Sequence, residues 1–198
     1  MIKIKLIIIS IICILLVFHL HRFLKRENKL EILQVNDKLE STKIFNYLKE
    51  NLPIVILNHN TEDIFGIISP LTIKKKFINT EQISNKYALH QKDGLFIIAN
   101  NEMTVDLLIP NEYKNFSKTK EYNEHVLLLN NNNNDFNFIQ IILKPTNILY
   151  IPRYWIFNIN AKNELDYKIF INETIFSFIF TFYKIVPFIF NKFRNINK

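Results

Sequence analysis

Residues 144–159, with the sequence KPTNILYIPRYWIFNI, constrain the fold more than any other segment of the chain. Two short apolar runs flank the pair Pro152-Arg153, and Trp155, the only tryptophan, follows directly. Proline fixes φ and lacks an N–H donor, so Pro152 ends the first run as a strand. The segment therefore predicts a buried strand, a tight turn and a second strand around Trp155.

The other apolar segments between residues 30 and 171 are also short. Ser41 and Thr42 are suited to cap a helix over 43–51. Alternating apolar residues predict strands at 30–35, 52–58, 94–99, 103–109, 125–129, 136–143, 148–151, 155–159 and 165–171. The asparagine run at 130–134 predicts a polar turn. Many short strands with brief connections favour a barrel or a sandwich.

The segment around Trp155 resembles the closing hairpin of the cupin-like (Jumonji-type) hydroxylase barrel. The pattern Leu-x-x-Gly-Asp-x-Leu-x-Ile-Pro-x-x-Trp-x-His is matched by Leu143, Ile148, Leu149, Ile151, Pro152 and Trp155. The helix predicted over 43–51 and the strand that opens at Pro53 are similar to the entry into that family's core. The resemblance covers residues 30–190. It implies a mainly β (α+β) double-stranded β-helix, a cupin or jelly-roll barrel of the kind found in large DNA viruses.

The departures from this pattern bear on chemistry. Thr146 and Asn147 replace Gly-Asp, and Phe157 occupies the position of the family's distal iron-binding histidine. The resemblance places the other two ligands, a His-x-Asp or His-x-Glu pair, near Lys86 and Ala88. A phenyl ring cannot ligate a metal, so we expect no metal and no cofactor.

The alternative is an Fe(II)/2-oxoglutarate-dependent hydroxylase with displaced ligands. The facial triad of such enzymes takes two histidines and one carboxylate. None of the five histidines lies in a His-x-Asp or His-x-Glu pair. His90 or His125 would then have to be essential.

Five residues form the predicted fold motif and candidate pocket: Pro152, Arg153, Tyr154, Trp155 and Phe157. The aromatic side chains offer large packing surfaces with polar tips on Tyr154 and Trp155. One reading is that they stabilise the core and the turn. The other is that they line the pocket where a hydroxylase holds its co-substrate, with Arg153 facing an anion.

The chain also lacks the motifs that other enzyme classes require. The chain has two glycines, Gly66 and Gly94, which excludes a glycine-rich phosphate loop. Its single cysteine, Cys13, lies in an apolar run, and no serine lies in a nucleophile-elbow context. We therefore expect a protein without catalytic residues, acting as a binding or scaffold module.

Residues 6–20 form an uncharged apolar run between basic flanks, which predicts a membrane anchor. Fifteen helical residues span about 22 Å against a hydrocarbon core of about 30 Å, so the span recruits neighbouring residues. A cleaved signal peptide or a buried core helix are the alternatives. No small residues suited to a cleavage site occur between Val17 and Leu33.

The charge of the chain is concentrated at its ends. Residues 1–30 carry +5 and residues 184–198 carry +4, which leaves −2 of the total +7 for residues 31–183. This distribution favours the lipid bilayer as a partner and argues against nucleic acid. Lysine and arginine downstream of the anchor favour a single-pass protein with a cytoplasmic domain.

Residues 175–190 form a second apolar run, with Ser177, Thr181 and Lys184 as one narrow polar stripe. The run predicts a C-terminal helix, packed on the domain or at a homo-oligomer interface, lying on the membrane, or crossing it. The predicted organisation is an anchor and basic flank at 1–29, a cupin-like barrel at 30–172, and an apolar helix with a basic tail at 173–198. We expect a membrane protein with an unidentified protein partner.

Overall fold

The computed structural model describes residues 6–14, 17, 21, 28–36, 47–48, 50–57, 72–78, 83–90, 94–121, 126–131 and 136–174. The chain divides into two compact units. One comprises Met1–Lys25 and Ile175–Lys198, and the other comprises Arg26–Thr174.

Short β-strands make up the described part of the second unit. They are β1 (Leu33–Asn36), β2 (Ile54–Leu57), β3 (Thr72–Ile78), β4 (Tyr87–His90), β5 (Leu95–Ala99), β6 (Met103–Leu108), β7 (Phe116–Glu121), β8 (Val126–Asn131), β9 (Phe138–Leu143), β10 (Ile148–Ile151), β11 (Ile156–Asn160) and β12 (Tyr167–Thr174). Two 3₁₀ turns, Pro110–Asn115 and Glu164–Asp166, precede β7 and β12. The prediction of a mainly β fold is confirmed.

The strands form two six-stranded sheets. Sheet A has the order β1-β2-β10-β5-β12-β3, and sheet B has the order β7-β8-β4-β11-β6-β9. The β1–β2 pair is parallel, and every other pairing between these strands is antiparallel. The arrangement is compatible with a β-sandwich, and the described strands do not close into one continuous barrel.

One apolar core joins the two sheets. Leu95, Leu149 and Ile169 of sheet A belong to the same buried cluster as Val105 and Phe157 of sheet B. Because side chains alternate along a strand, the strands in the middle of each sheet send every second residue into this core. Burial of apolar surface at about 25 cal/mol per Å² makes this layer the main source of stability.

Each sheet also has an apolar cluster on its outer face. Phe96, Tyr150 and Phe170 lie on the outside of sheet A, with Tyr47 and Leu48 packed against the cluster. The outside of sheet B carries a second apolar cluster, formed by Leu89, Leu108, Phe116, Leu127, Leu129 and Ile156. The strands are therefore apolar on both faces over much of their length, which is the composition of sheets covered on both sides.

The nine predicted strands correspond to β1, β2, β5, β6, β8, β9, β10, β11 and β12, with ends shifted by up to three residues. Three observed strands were not predicted: β3, β4 and β7. Within the helix predicted over 43–51, residues 47 and 48 are helical and residues 50 and 51 are not, while 43–46 and 49 lie outside the described residues. Of the predicted asparagine turn, Asn130 and Asn131 instead belong to β8.

Residues 6–14, 17 and 21 are helical. Across the described segments, we find no helix that is both long enough and apolar enough to span a bilayer. The membrane anchor stays a prediction. The predicted C-terminal helix at 175–190 and its homo-oligomer interface lie outside the described residues.

Candidate functional site

The segment around Trp155 is a corner between the two sheets and not a hairpin. β10 pairs with β2 and β5 in sheet A, whereas β11 pairs with β4 and β6 in sheet B. Both sides of each strand are thus occupied by other strands, so β10 and β11 cannot pair with each other. The predicted strand–turn–strand order is correct, and the predicted hairpin is wrong.

Residues Pro152–Trp155 form this corner, a four-residue turn. The Trp155 N–H donates to the Pro152 carbonyl oxygen at 3.4 Å. Tyr154, at the third position of the turn, has a φ of 70°. Turns with a positive φ at the third position usually have glycine there. Tyrosine has a Cβ that crowds the backbone in this conformation, so Tyr154 is strained by about 1–2 kcal/mol.

Contacts with β4 and within the corner oppose this strain. The Tyr154 N–H donates to the His90 carbonyl oxygen at 2.9 Å. The buried Arg153 guanidinium lies 4.4 Å from the centroid of the Tyr154 ring. A guanidinium over an aromatic face gains a cation–π interaction, which is stronger where water is excluded. The corner is therefore tied to the end of β4.

The five predicted motif residues separate onto two sides of sheet B. Trp155 and Phe157 are fully buried in the core between the sheets, while Tyr154 packs against the apolar cluster on the outer face. Pro152 and Arg153 are buried beside them. Within the described part of the chain, Trp155 Nε1 has no hydrogen-bond partner. The aromatic residues thus contribute to two packed layers.

The structure also locates the positions at which the resemblance predicts iron ligands. Phe157 on β11 lies directly opposite Ala88 on β4, and both side chains are buried in the core between the sheets. Lys86, just before β4, is exposed. His90, two residues after Ala88, is buried and follows it on the same face of β4 by strand alternation.

This side-chain set does not fit a facial triad. Phenyl and methyl groups offer no lone pair, so His90 is the single imidazole contributed by the three facing positions Ala88, His90 and Phe157. The carboxylate nearest in register, Asp106, pairs with Asn158 and so projects from the opposite face of sheet B. Among the described residues, no three His, Cys, Asp or Glu side chains are grouped as a metal site would require.

A polar row crosses the outer face of sheet B, and the sequence reading missed it. Asp106 is buried, and its two carboxylate oxygens accept hydrogen bonds from Gln140 Nε2 at 3.0 Å and Asn160 Nδ2 at 2.8 Å. Asn158 Nδ2 donates to Asn160 Oδ1 at 3.2 Å. Burial raises the pKa of the Tyr87 phenol, and the Asp106 carboxylate raises it further.

One feature of the sequence could have indicated this row: Asp106 is a charged residue within the otherwise apolar strand MTVDLL, two residues after Thr104. The pairing that brings Asp106 beside Asn158 and Gln140 spans 34 residues or more and cannot be read from local pattern. Chemically, the row is a carboxylate held by neutral amides next to a phenol that stays protonated.

A cavity of about 370 Å³ opens beside β12 and β3. Its walls include Phe77, Leu165 and Tyr167, and polar groups come from Asn100, Glu164 and Lys168. Leu165 is 85% exposed and Phe77 is 52% exposed, so the cavity is open at the surface. None of the residues predicted as pocket-lining contributes to it.

No protein-family model matches this chain, and a search of curated proteins also finds no match. The class that the structure defines is a two-sheet, mainly β domain.

Proposed function

We propose that this protein is a membrane-anchored binding or scaffold module, built on a double-stranded β-helix whose expected metal positions are occupied by Lys86, Ala88 and Phe157. The strand order supports the fold assignment. If β1, β2, β7 and β8 are set aside, eight strands remain. In chain order they alternate between the two sheets, except that the consecutive strands β6 and β9 both belong to sheet B.

Numbered from β3 onwards, these eight strands have the order 6-3-8-1 in sheet A and 2-7-4-5 in sheet B. All their pairings are antiparallel. This is the order expected of an eight-stranded double-sheet jelly roll. The pair β7–β8 is then an insertion between the fourth and fifth strands, which extends sheet B beyond β4.

The pairing of Phe157 with Ala88 is the observation that carries the proposal of a non-catalytic module. In a hydroxylase of the family that the sequence resembles, this facing pair of strands holds the iron ligands. Here the two residues are packed in the core, and a fold can keep its frame while losing its chemistry. Without iron-dependent catalysis, the functions that we propose for this frame are binding and scaffolding.

The N-terminal segment supports membrane attachment. Leu6, Ile7, Ile8, Ile9, Ile11, Ile12 and Ile14 are each 50–67% exposed in the helical residues 6–14. They surround the helix and do not form one stripe, and a helix apolar all round is stable only in protein or lipid. Basic residues on both flanks favour lipid.

Anaerobic titration of the full chain in detergent with Fe(II) and 2-oxoglutarate tests the proposal. We expect no charge-transfer absorbance. Stoichiometric binding that is abolished by His90→Ala would contradict the proposal and establish the alternative hydroxylase, which the buried position of His90 on the ligand-facing side of β4 favours. His125→Ala is the parallel variant, at a position outside the described residues.

A further inference from the structure

β9 lies at one end of sheet B and has β6 as its neighbour among the described strands. Its sequence FIQIIL has no charge and no proline. Ile141 and Leu143 are buried in the core. On the other face, Phe138 is 48% exposed and Ile142 is 59% exposed, with the exposed Gln140 between them.

The other sheet ends are protected against pairing with a further strand. β1 has four residues, and β3 carries the run Lys74-Lys75-Lys76. β7 carries Lys118, Lys120 and Glu121 in its sequence FSKTKE. Short length and lysine are devices that keep edge strands from associating. β9 has neither device, although an uncharged apolar edge strand is the kind that associates most readily.

We infer that β9 pairs antiparallel with β9 of a second copy of this chain, so that two B sheets join across a two-fold axis. The inference does not depend on the proposed function. A two-fold axis requires that the strand be complementary to itself. The following register meets that requirement.

Residues directly opposite each other in an antiparallel pair project to the same face. The exposed residues at 138, 140 and 142 must therefore face their equivalents in the second copy. Centring the pair on Gln140 places Phe138 of each copy opposite Ile142 of the other. The two-fold axis forms this pair twice, once on each side of Gln140. Each pair packs Phe138, an aromatic residue, against Ile142, a β-branched residue, which is a combination that stabilises sheets.

Gln140 suits the centre of this register. Its Nε2 already donates to Asp106 at 3.0 Å, which orients the amide. An amide has two N–H groups and one carbonyl oxygen, so a second donor and an acceptor serve the Gln140 of the other copy. An unrelated strand would have to supply an apolar residue opposite each of Phe138 and Ile142 and an amide opposite Gln140. A second β9 supplies all three in one register, which favours a second copy over an unrelated strand.

Sedimentation equilibrium of the full chain in density-matched detergent measures the association. We expect a monomer–dimer equilibrium whose Kd rises at least tenfold on Ile142→Lys. Leu165→Lys is the matched control, since Leu165 is more exposed than Ile142 and belongs to the 3₁₀ turn Glu164–Asp166 and not to β9. The control should leave the Kd unchanged.

A crosslink tests the register without relying on a charged substitution. In a Cys13→Ser background, Gln140→Cys should give a disulfide-linked dimer on mild oxidation, and Leu165→Cys should not. A monomer at all concentrations would overturn the inference. A dimer whose Kd is unchanged by Ile142→Lys and that does not crosslink at position 140 would also overturn it, and would place the interface elsewhere.

Discussion

At the scale of single residues, Gly94 is fixed by the ring of Tyr150. A Cβ at position 94 would overlap Tyr150 Cε2 and lie 3.0 Å from Cζ and 3.1 Å from Cδ2. The ring has little room to move, because it is buried and lies 5.1 Å from the ring of Phe96 between centroids. Gly94 is therefore needed for its lack of a side chain.

We predict that Gly94→Ala lowers the free energy of unfolding by about 1–3 kcal/mol, the usual cost of overpacking. Denaturant titration followed by the fluorescence of Trp155, the single tryptophan, measures it. The control is a double-mutant cycle with Tyr150→Leu, in which the second substitution removes the ring. The cost of Gly94→Ala should fall in that background, and an equal cost in both backgrounds would show that the ring is not responsible.

Asp166 fastens the turn before β12 to the turn between β5 and β6. Its Oδ1 accepts a hydrogen bond from Asn101 Nδ2 at 2.7 Å, and its Oδ2 accepts one from the Asn163 N–H at 2.8 Å. The hydrogen bond from Asn101, followed by that from Asn163, holds the pKa of this carboxyl below its ordinary value of 3.8. The folded state thus binds this proton less readily than the unfolded state.

The stabilisation from Asp166 is therefore present above pH 3.8 and is lost as the pH falls through the lower folded-state pKa. We predict that Asp166→Asn lowers the urea midpoint at pH 7, and that the difference from the unsubstituted protein shrinks towards pH 3. Glu102→Gln, an exposed carboxylate of the β5–β6 turn, is the control and should change neither. A difference that is the same at pH 7 and pH 3 would contradict the assignment.

At the scale of elements, local pattern located the apolar strands and missed the polar ones. β3 contains the run Lys74-Lys75-Lys76, and β7 has the sequence FSKTKE. Both lie at the end of a sheet among the described strands, and lysine is favoured in such end strands because it opposes association with a further strand. β4 was missed for another reason: of its four residues YALH, only Tyr87 belongs to the β-branched and aromatic types that mark a strand.

The corner at Pro152–Trp155 shows a second limit of local pattern. Its strand–turn–strand order could be read from Pro152 and the apolar runs. Whether the two strands pair or diverge depends on which distant strands occupy their sides, and β10 and β11 are each flanked by strands more than 40 residues away. Pairing over such distances leaves no mark in a sixteen-residue segment.

Substitutions at Phe157 test whether this position lies in a packed core or in an open pocket. In a packed core, Phe157→Leu keeps most of the apolar volume and costs about 1.5 kcal/mol or less, whereas Phe157→His buries polar nitrogens and costs about 1–3 kcal/mol more. We predict this difference between the two variants in denaturant titrations. Equal stabilities would mean that water reaches position 157, as it would in a ligand pocket.

At the scale of the whole molecule, the two-sheet architecture was predictable because the number and shortness of the apolar runs leave few alternatives. The site was less predictable. The sequence identified Arg153 and Tyr154 as neighbours, but the contact of Tyr154 with His90 joins residues 64 positions apart. The polar row around Asp106 and the cavity beside Tyr167 likewise depend on strand order.

The distribution of charge and apolar surface leads to a prediction for the full chain. We expect it to float with vesicles of mixed neutral and anionic lipid in a density gradient, and to resist extraction at high salt, since apolar insertion is not screened. Deletion of residues 1–29 should abolish flotation. Deletion of residues 175–198 is the matched control for the other apolar, basic end, and should leave flotation intact. If the second deletion alone abolishes it, the C-terminal segment is the membrane-binding element and residues 1–29 are not an anchor.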